Sequence, residues 1–390
     1  MHISGQNSMQ NGAHNSRRSR QVLITGGAGF VGSHVADGLL RAGHHVRMLD
    51  DLTPQVHPAG RPDYLSKDVE LVQGDVRDPN RLRDVLSGVD VIFHFAATVG
   101  VGQSMYEISR YISVNTLGTA ELLQALLDNK LHPEKLIVAS SMSIYGEGRY
   151  VCTVCGRQSF PPVRSVKQLR EGQWEVHCAT CNGVLAPLPT DETKPSEINS
   201  VYALSKRDQE DLCLIYGRNY DLPVTALRFF NIYGTRQALS NPYTGVAAVF
   251  ASRMLNGQAP LVFEDGEQQR DFVSVHDIVQ ANLLAMERPE SNGEVINIGS
   301  GRPIKIKRVA EILSNALGRD VAPVITQKYR AGDIRHCFAD ISKARRLLGY
   351  EPQVTHEEGF RELAEWLHGQ EAEDKAETML QELSAYGLTA

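Results

Sequence analysis

The chain has 390 residues, of which 42% are hydrophobic and 22% are charged, a composition typical of a globular protein with one large core or two domains. Its 40 basic and 46 acidic residues give a formal net charge of −6, which excludes an extended basic face, so we expect no nucleic-acid partner. No apolar run reaches the roughly 20 residues that span a bilayer, and residues 1–20 contain no apolar signal core. We therefore expect no membrane segment, a disordered tail over residues 1–20 and a cytoplasmic location.

Short apolar strands alternate with helical stretches over the first half of the chain. Residues 21–25 predict a buried strand, and apolar residues at helical spacing from Val31 to Leu40 predict the first helix. Further strands are predicted at residues 45–49, 69–72, 89–94, 136–139 and 225–230. This alternation predicts an α/β fold with a Rossmann-like, doubly wound parallel sheet, in which ligands bind beyond the carboxyl ends of the strands. Four candidate site residues follow such ends: Asp50, Asp75, Ala96 and Ser141.

The same pattern predicts the domain boundaries. Residues 21–146 and 191–234 should form the Rossmann domain, interrupted by an insert at residues 147–190. Shorter elements with more Pro and Gly predict a smaller substrate-binding lobe over residues 235–370, with some segments returning to the first domain. Residues 371–390 are predicted to be a helical C-terminal tail.

A glycine-rich turn, TGGAGFVG at residues 25–32, joins the first predicted strand to the first helix. Gly26, Gly29 and Gly32 have the spacing that permits a tight turn, close approach of the backbone to a pyrophosphate, and close packing of helix on strand. The free N–H groups at the start of the helix, around Phe30 and Val31, would bind the phosphates. The turn predicts a dinucleotide cofactor; the alternative is a glycine turn that binds no ligand.

Two acidic residues refine the choice of cofactor. Asp50 lies 18 residues after Gly32, where a carboxylate can bind the hydroxyls of the adenosine ribose and repel a 2′-phosphate. No arginine immediately follows Asp50, so NAD is predicted rather than NADP. Asp75 and Val76 are expected beside the adenine, although Gly-Asp after a strand is also ordinary turn chemistry.

Tyr202 and Lys206 lie four residues apart in the segment YALSK. On a helix these two positions share a face, so the ammonium group can lie near the phenol and lower its pKa. A tyrosine ionises near pH 10, and a useful phenolate at neutral pH needs a decrease of roughly three units, or about 4 kcal/mol. Lys206 and the positive charge of the oxidised nicotinamide are the expected sources of that decrease. The alternative is a tyrosine that only packs on a helix face.

Several segments carry a family resemblance, and they lie between residues 21 and 353: TGGAGFVGSH, GDVRD, FHFAA, SVNTLGT, SSMSIYG, YALSK, LRFFNIYG, QQRDFVSVHDI and YRAGDIR. Together they resemble the extended short-chain dehydrogenase/reductase family, specifically its nucleotide-sugar epimerases and dehydratases. The resemblance implies a catalytic group of Ser141, Tyr202 and Lys206. It also implies a homodimer joined through the helix of Tyr202 and the helix after Asn115. The cofactor contacts that it implies include Ala96, Ala97, Asn115, Tyr202 and Lys206.

The residues after Ser141 distinguish between members of this family. Dehydratases that resemble this chain place an Asp-Glu pair there, whereas this chain has Met142 and Ser143. Without an acid, elimination of water has no general acid, so a 4-epimerase is predicted. In the implied mechanism, Tyr202 takes the C4 hydroxyl proton while NAD accepts the C4 hydride, and the hydride returns to the other face of the 4-keto sugar.

The resemblance also implies contacts with a nucleotide-diphosphate sugar. Asn231, Arg270 and Arg330 fall where the diphosphate is held, and Arg236 is a further candidate. Ser141 and Ser143 are expected near the reacting oxygen. Cys337 aligns with a residue that bounds the sugar pocket, where a cysteine leaves more room than a tyrosine. The alternative is that Cys337 is a buried cysteine acting as a small hydrophobic residue.

The predicted insert contains two CxxC pairs, and it lengthens the segment from Tyr145 to Tyr202 to 57 residues, well beyond family members without an insert. In a chain without a secretory signal the pairs favour metal over disulfides. The spacing predicts a zinc ribbon whose four thiolates close a structural Zn²⁺ site. The predicted ligands are Cys152, Cys155, Cys178 and Cys181.

The sequence predicts the substrate less narrowly than the reaction type. Epimerases with such an insert resemble enzymes that interconvert dTDP-L-rhamnose and dTDP-6-deoxy-L-talose, so a dTDP-linked sugar is favoured over a UDP-linked hexose. Another 4-keto enzyme of the same scaffold, such as a reductase, decarboxylase or dehydratase, is an alternative. A non-catalytic NAD-sensing scaffold whose zinc module binds a partner is the alternative outside enzymes.

Overall fold

A seven-stranded parallel sheet forms the centre of the larger lobe in this computed structural model, which describes residues 18–319, 321–330 and 332–389. The strands are β1 (Gln21–Thr25), β2 (His45–Asp50), β3 (Glu70–Gln73), β4 (Val91–His94), β5 (Lys135–Ser141), β6 (Arg149–Cys152), β7 (Gln158–Ser159), β8 (Leu185–Leu188), β9 (Val224–Phe229), β10 (Asn231–Tyr233), β11 (Leu261–Val262), β12 (Gln269–Ser274), β13 (Glu294–Ile298), β14 (Pro303–Lys305), β15 (Val324–Ile325) and β16 (His336–Cys337). The helices are α1 (Phe30–Arg41), α2 (Pro79–Leu86), α3 (Val101–Ser104), α4 (Ile108–Tyr111), α5 (Gly118–Asp128), α6 (Val166–Arg170), α7 (Val201–Tyr220), α8 (Val246–Leu255), α9 (Val275–Glu287), α10 (Ile306–Ala316), α11 (Ser342–Leu348), α12 (His356–Leu367) and α13 (Ala376–Ala385). A π-helical segment at Ile112–Leu117 precedes α5, and 3₁₀ turns lie at Met142–Tyr145 and Pro289–Ser291. Within the described ranges, none of these helices is long and apolar enough to cross a membrane.

The order of strands in the main sheet creates a crevice at its carboxyl edge. The order is β3-β2-β1-β4-β5-β9-β13, and every neighbouring pair is parallel. The chain runs outward from β1 through β2 to β3, and it then returns to the other side of β1 as β4. In a doubly wound sheet this reversal separates the loops that follow the two central strands, and ligands bind between them. The predicted Rossmann-like sheet is confirmed.

The strands of this sheet are apolar on both faces because helices cover both faces. In β1, Val22, Leu23 and Ile24 are all fully buried. Val22 and Ile24 pack into the cluster under α1, α9 and α11, whereas Leu23 points into the opposite cluster under α2, α5 and α7. The central strands therefore read as continuous apolar runs, as the sequence predicted.

The smaller lobe is built around β12, which pairs in parallel with β10 and β16 and antiparallel with β14. Helices α8, α10 and α12 contribute to its core, where the rings of Tyr233 and Phe360 stack 4.2 Å apart. Helix α9 and strand β13 also come from the range assigned to this lobe, but they pack in the larger lobe. The lobes thus share elements rather than being joined by one linker.

The insert forms a three-stranded antiparallel sheet, in the order β7-β6-β8, and carries α6. Strands β6 and β8 pair from Arg149 opposite Leu188 to Cys152 opposite Leu185. The buried core of the insert is small, and it consists of Tyr150, Cys152, Val176, Cys178 and Leu185. So few apolar residues provide little stabilisation for a separate module.

The first described residues correct one boundary. Residues 1–17 of the predicted disordered tail lie outside the described part of the chain. The prediction is wrong for residues 18–20, because Ser19 Oγ donates to Gly43 O at 2.8 Å and Arg20 Nε pairs with Glu134 at 2.8 Å.

The C-terminal helix α13 packs against both lobes. Leu383 is 1% exposed, and Glu382 accepts hydrogen bonds from Tyr106 Oη at 2.9 Å and from Tyr243 Oη at 2.5 Å. The ring of Tyr386 stacks on that of Tyr106 at 4.7 Å. This segment is therefore a docked helix rather than a solvated tail.

Candidate active site

A cavity of about 920 Å³ lies at the carboxyl edge of the main sheet, between the two lobes. Its walls come from the glycine-rich turn, the residues after β2, β3 and β4, the end of β5, the start of α7, and residues 237–247 of the smaller lobe. Most of the predicted cofactor residues line it: Gly26, Gly29, Phe30, Val31, Gly32, Asp50, Asp75, Val76, Ala96, Ala97, Tyr202 and Lys206. The volume is at the upper end of ordinary ligand pockets.

The glycines of the turn have different roles in the structure. Gly26 has φ of +69°, and a Cβ there would lie 2.8 Å from the backbone nitrogen of Ala96. A Cβ on Gly32 would lie 2.7 Å from Gly27 Cα and would also clash with Gly26 O. A Cβ on Gly29, in contrast, would meet only Gly26 O, at 3.4 Å. Gly26 and Gly32 are thus required by packing, whereas Gly29 leaves its side open to the cavity.

Helix α1 begins at this turn without a side-chain cap. Gly29 is the N-cap residue, and within the described ranges it provides no side-chain cap hydrogen bond. The first N–H groups of the helix, with the positive end of the helix dipole, form an anion site next to the cavity. The geometry fits a pyrophosphate at Gly29.

Asp50 lines the cavity and also stabilises the turn. Its carboxylate accepts hydrogen bonds from Ala28 N and Leu52 N, both at 3.0 Å. Burial raises the pKa of Asp50, and the two N–H donors oppose that increase. Asp75 accepts from Arg77 Nε at 2.9 Å, and this hydrogen bond lowers the pKa of Asp75. Arg77 also lines the cavity and was not among the predicted residues.

Asn115 lies behind the cavity wall and does not line it. It is fully buried, and its Nδ2 donates to Ser205 Oγ at 2.8 Å while its Oδ1 accepts from Thr98 N at 2.7 Å. The predicted direct contact with the cofactor is therefore corrected. Asn115 links the loop after β4 to α7, and it lies in the π-helical segment, a type of helix often found at functional sites.

Ser141 and Tyr202 both line the cavity. Ser141 ends β5, and its Oγ accepts hydrogen bonds from Ser143 Oγ at 2.9 Å and from Ser143 N at 3.1 Å. Burial raises the pKa of Tyr202 to about 12, although a hydrogen bond from Ser141 opposes the increase. Among the protein groups alone, Tyr202 is therefore a protonated phenol at neutral pH.

Lys206 does not provide the predicted decrease in the pKa of Tyr202. Its ammonium group donates to Gln209 Oε1 at 2.7 Å, and burial lowers the pKa of Lys206 to about 7. Burial dominates the pKa of each group, and Lys206 is not among the groups that lower the pKa of Tyr202. The combined effect of Lys206 and the oxidised nicotinamide stays a prediction.

Gln209 belongs to a buried polar network that sequence reasoning missed. Its Nε2 donates to Ala96 O at 3.2 Å and to Thr119 Oγ1 at 3.0 Å. His94 bonds to Thr25 Oγ1 at 2.7 Å and to Thr119 Oγ1 at 2.8 Å, and burial lowers the pKa of His94 to about 3. The helical spacing of Tyr202, Lys206 and Gln209 (i, i+4, i+7) could have identified this residue, because all three share one face.

The predicted substrate residues divide into two groups. Ser141, Ser143 and Asn231 line the cavity, and in the described part of the chain Asn231 Oδ1 is a buried oxygen without a hydrogen-bond partner. The residues that do not line the cavity are Arg236, Arg270, Arg330 and Cys337. An unpartnered buried oxygen next to a cavity indicates a ligand group that would complete it.

The predicted roles of two residues outside the cavity, Arg236 and Cys337, have to be corrected. Arg236 pairs with Asp37 of α1 at 2.7 Å and lies 5.1 Å from the centre of the Tyr64 ring, outside the cavity. Cys337 is 1% exposed and points to Thr190, with burial raising its pKa to about 12. The predicted roles of Arg236 in substrate binding and of Cys337 in bounding the sugar pocket are therefore not supported.

Arg270 and Arg330 converge on one acid. Arg270 pairs with Asp333 Oδ1 at 3.3 Å and Arg330 with Asp333 Oδ2 at 3.1 Å. Arg270 also donates to Ile334 O at 2.6 Å. Both guanidinium groups are thus held by the segment around Asp333, rather than standing free on the cavity wall.

Known proteins share this architecture. A family model described as the NAD dependent epimerase/dehydratase family matches residues 22–164 and 175–299. The chain belongs to that family. The gap in the match, residues 165–174, falls in the insert.

Named relatives of this epimerase cover nearly all of its length. A dTDP-L-rhamnose 4-epimerase of Burkholderia thailandensis is 34% identical over 89% of this chain and 95% of its own. The crystal structure of UDP-glucose 4-epimerase with UDP-glucose from Thermotoga maritima has a TM-score of 0.72 and 32% identity, over 89% of this chain and 98% of that one. The UDP-glucuronic acid 4-epimerase of Bacillus cereus, in complex with UDP-glucuronic acid and NAD, has a TM-score of 0.71 and 26% identity, over 89% and 99%. The predicted activity, NAD-dependent 4-epimerisation of a nucleotide sugar, is confirmed.

The acids of the cavity agree with an epimerase rather than a dehydratase. Among the described residues, the acidic side chains that line it are Asp50, Asp51 and Asp75, all of which follow β2 or β3 at the predicted adenosine end. At the reacting end, Met142 and Ser143 line the wall. No general acid for the elimination of water is present there in the described part of the chain.

The epimerase also carries a cluster of four cysteines in its insert. The sulfur atoms of Cys152, Cys155, Cys178 and Cys181 all lie within 4.8 Å of one another. The separations are 3.4 Å between Cys152 and Cys181 and 3.8 Å between Cys155 and Cys178. A tetrahedral Zn²⁺ with Zn–S bonds of about 2.3 Å separates its sulfurs by about 3.8 Å. The donor set and its spacing fit a closed four-thiolate site.

Backbone amides also support thiolates in this cluster. Val154 N and Cys155 N each point to Cys152 Sγ at 3.4 Å, and Thr180 N points to Cys178 Sγ at 3.4 Å. The N–H donors of Cys155 and Val154 lower the pKa of Cys152. Such donors stabilise the charged form that a metal requires.

Proposed function

We propose that this epimerase uses NAD to interconvert dTDP-L-rhamnose and dTDP-6-deoxy-L-talose. The observation that carries the reaction type is that Ser141, Tyr202 and the glycine-rich turn line the same cavity. The 34% identity to the dTDP-L-rhamnose 4-epimerase of Burkholderia thailandensis supports the sugar. A UDP-linked hexose is the second candidate, favoured by the likeness to the UDP-glucose 4-epimerase of Thermotoga maritima.

In this proposal, different residues of the chain have different roles in the reaction. NAD, when bound, would accept the C4 hydride and return it to the other face of C4, and its positive charge would lower the pKa of Tyr202. Tyr202 would remove the proton of the C4 hydroxyl, and Ser141, which lines the same cavity, would donate a hydrogen bond that orients that oxygen. Lys206, which also lines the cavity, would bind the cofactor beside the phenol. The proton returns from Tyr202 after the 4-keto sugar has presented its other face.

The proposed cofactor contacts follow the cavity wall. Gly29 and the uncapped start of α1 would hold the pyrophosphate, and Asp50 would bind the adenosine ribose. Asp75 and Val76 would flank the adenine. Asn231, whose Oδ1 lacks a partner, would bind the substrate, together with Arg270 and Arg330 at the diphosphate.

For the insert, we propose a structural Zn²⁺. The four thiols leave no ligand position for substrate, so the metal would stabilise the fold rather than react. Zinc binding to small modules contributes on the order of 10 kcal/mol of folding free energy. That amount would offset the small apolar core of the insert.

We also propose a homodimer that forms through α7 and the helix after Asn115, which is α5 with its N-cap residue Leu117. Apolar side chains on these two elements are unusually exposed for their type: Leu117 at 46%, Leu204 at 42% and Ile215 at 48%. Covering them by a second copy of the chain would bury a shared apolar face.

The test is direct incubation with nucleotide sugars. Purified protein is mixed with dTDP-L-rhamnose, and separately with UDP-glucose, and NMR follows the C4 proton of any epimer. The Tyr202→Phe variant should lower turnover at least about a hundredfold, whereas Tyr220→Phe, at an exposed end of the same helix, should not. NAD in the protein without turnover of any nucleotide sugar would favour the sensing scaffold instead.

A further inference from the structure

A buried charged junction joins the insert to the smaller lobe. Arg335, which precedes β16, is 0% exposed and has three acidic partners. Its Nε donates to Glu175 of the insert at 3.0 Å, and its Nη1 pairs with Glu264 at 3.0 Å and with Asp265 at 2.7 Å. The insert thus supplies one of the charges that hold Arg335.

Arg164 makes a second connection from the insert to the same place. It is 5% exposed, and its two terminal nitrogens donate to the two oxygens of Glu264 at 2.9 Å each. Nη2 also donates to the carbonyl oxygen of Asp333 at 3.2 Å. Arg164 therefore fixes the backbone at Asp333.

Asp333 is the residue that holds Arg270 and Arg330, at 3.3 Å and 3.1 Å. The backbone of the following residue, Ile334, accepts from Arg270 as well. The segment at residues 332–336 therefore lies between the insert on one side and both proposed diphosphate ligands on the other. A shift of this segment would move both guanidinium groups together.

Glu175 connects this junction to the cysteine cluster. It lies three residues before Cys178, and Val176 between them is part of the insert core. Glu175 also pairs with His336 at 3.4 Å, and the ring of His336 lies 6.0 Å from that of Tyr150 in the insert core. Glu175 thus contacts Arg335 and His336 from a position three residues before a cysteine of the cluster.

A gain in folding stability does not explain why the charged groups of this junction are buried. Buried ion pairs contribute little net stability compared with apolar packing, because both partners lose their hydration. Their directional hydrogen bonds do fix geometry, and planar guanidinium groups fix it best.

We propose that Arg164 and Glu175 are positioning residues, through which the insert sets the orientation of Arg270 and Arg330 for binding the diphosphate of the substrate. This inference rests on the proposed function, because the substrate role of the two arginines does. If Arg164 and Glu175 act in this way, the insert contributes to the affinity for the substrate, which a structural module remote from the site would not do.

The test uses Glu175→Gln, which removes the charge and keeps the shape, with Glu171→Gln as a matched control. Glu171 is exposed and lies in the same insert. We expect KM for the nucleotide sugar to rise roughly tenfold to a hundredfold in Glu175→Gln, as for other small misplacements of binding groups, with kcat within about twofold of the parent value. Glu171→Gln should match the parent protein. Calorimetry with dTDP and UDP should show the same loss of affinity, while the NAD and zinc contents stay unchanged.

Two results would overturn the proposal: an unchanged KM in Glu175→Gln, or a parallel fall in kcat, NAD content and thermal stability, as expected for a purely structural residue. If Glu175→Gln does not fold, Glu175→Asp keeps the charge on a shorter side chain, and we expect a smaller rise in KM; an unchanged KM there also contradicts the proposal. If the parent protein binds dTDP or UDP but epimerises no sugar, the proposed function fails while the calorimetric comparison still decides the role of Glu175.

Discussion

Two glycines of the cofactor turn should respond differently to the same added methyl group. In Gly32→Ala the new Cβ would lie 2.7 Å from Gly27 Cα and would press on Gly26 O. These are backbone atoms that cannot rotate away, so we expect the free energy of unfolding to fall by about 1–3 kcal/mol. In Gly29→Ala the nearest atom is 3.4 Å away, and φ of −69° and ψ of 178° suit alanine. Stability should then change by no more than about 0.5 kcal/mol.

The change in NAD affinity caused by Gly29→Ala should not parallel the change in the free energy of unfolding. The methyl group of Gly29→Ala points to the space where the pyrophosphate would approach α1, so we expect affinity for NAD to fall at least about tenfold, or about 1.4 kcal/mol. Urea unfolding gives the stability of both variants, and NAD released from heat-denatured protein gives the occupancy. Full NAD occupancy and normal turnover in a folded Gly29→Ala protein would refute the assignment of this turn to the pyrophosphate.

Three other perturbations test separate parts of the structure. Gln209→Leu removes the acceptor for the ammonium group of Lys206, which disfavours the charged form of Lys206. The pKa of Lys206 should therefore fall below about 7, and the alkaline limb of the plot of kcat against pH should move to lower pH. Gln209→Glu should move that limb to higher pH, and an identical limb in both variants would contradict the role of Gln209. Cys178→Ser should lose bound zinc, measured by atomic absorption, and should lower the melting temperature; one equivalent of retained metal excludes the four-cysteine site. Glu210→Ala leaves the buried guanidinium of Arg228 without the carboxylate now 2.6 Å away, so unfolding in urea should show a loss of about 3–5 kcal/mol; a loss under about 1 kcal/mol would show that water replaces the carboxylate.

The main sheet was predictable because its signal is local. Strands such as β1 and β4 are buried on both faces, so apolar runs alone mark them, and the glycine turn follows β1 directly in the sequence. Parallel strands then bring their carboxyl ends together, which places Asp50, Ala96 and Ser141 on one edge without further information.

Side-chain direction was less predictable because it depends on contacts between distant segments. Arg236 follows a motif that borders the cavity, but its backbone has φ of +67° and its side chain turns to Asp37 on α1. The motif around Asn115 predicted a contact with the cofactor, yet the side-chain amide of Asn115 makes its hydrogen bonds with Thr98 and Ser205. The spacing of Tyr202 and Lys206 indicates that the two are close but gives no measure of burial, which raises the pKa of Tyr202 among the protein groups.

The pairing of Arg149 with Leu188 has a consequence for how the insert is carried. Because β6 and β8 run side by side, the chain leaves the parent domain and re-enters it at a single stem. A short hairpin across the stem would restore continuity without stretching the flanking strands, but it would remove Arg164 and Glu175 from the buried charged junction. Comparing such a shortened enzyme with the full-length one would separate what the insert contributes from what the rest of the chain provides.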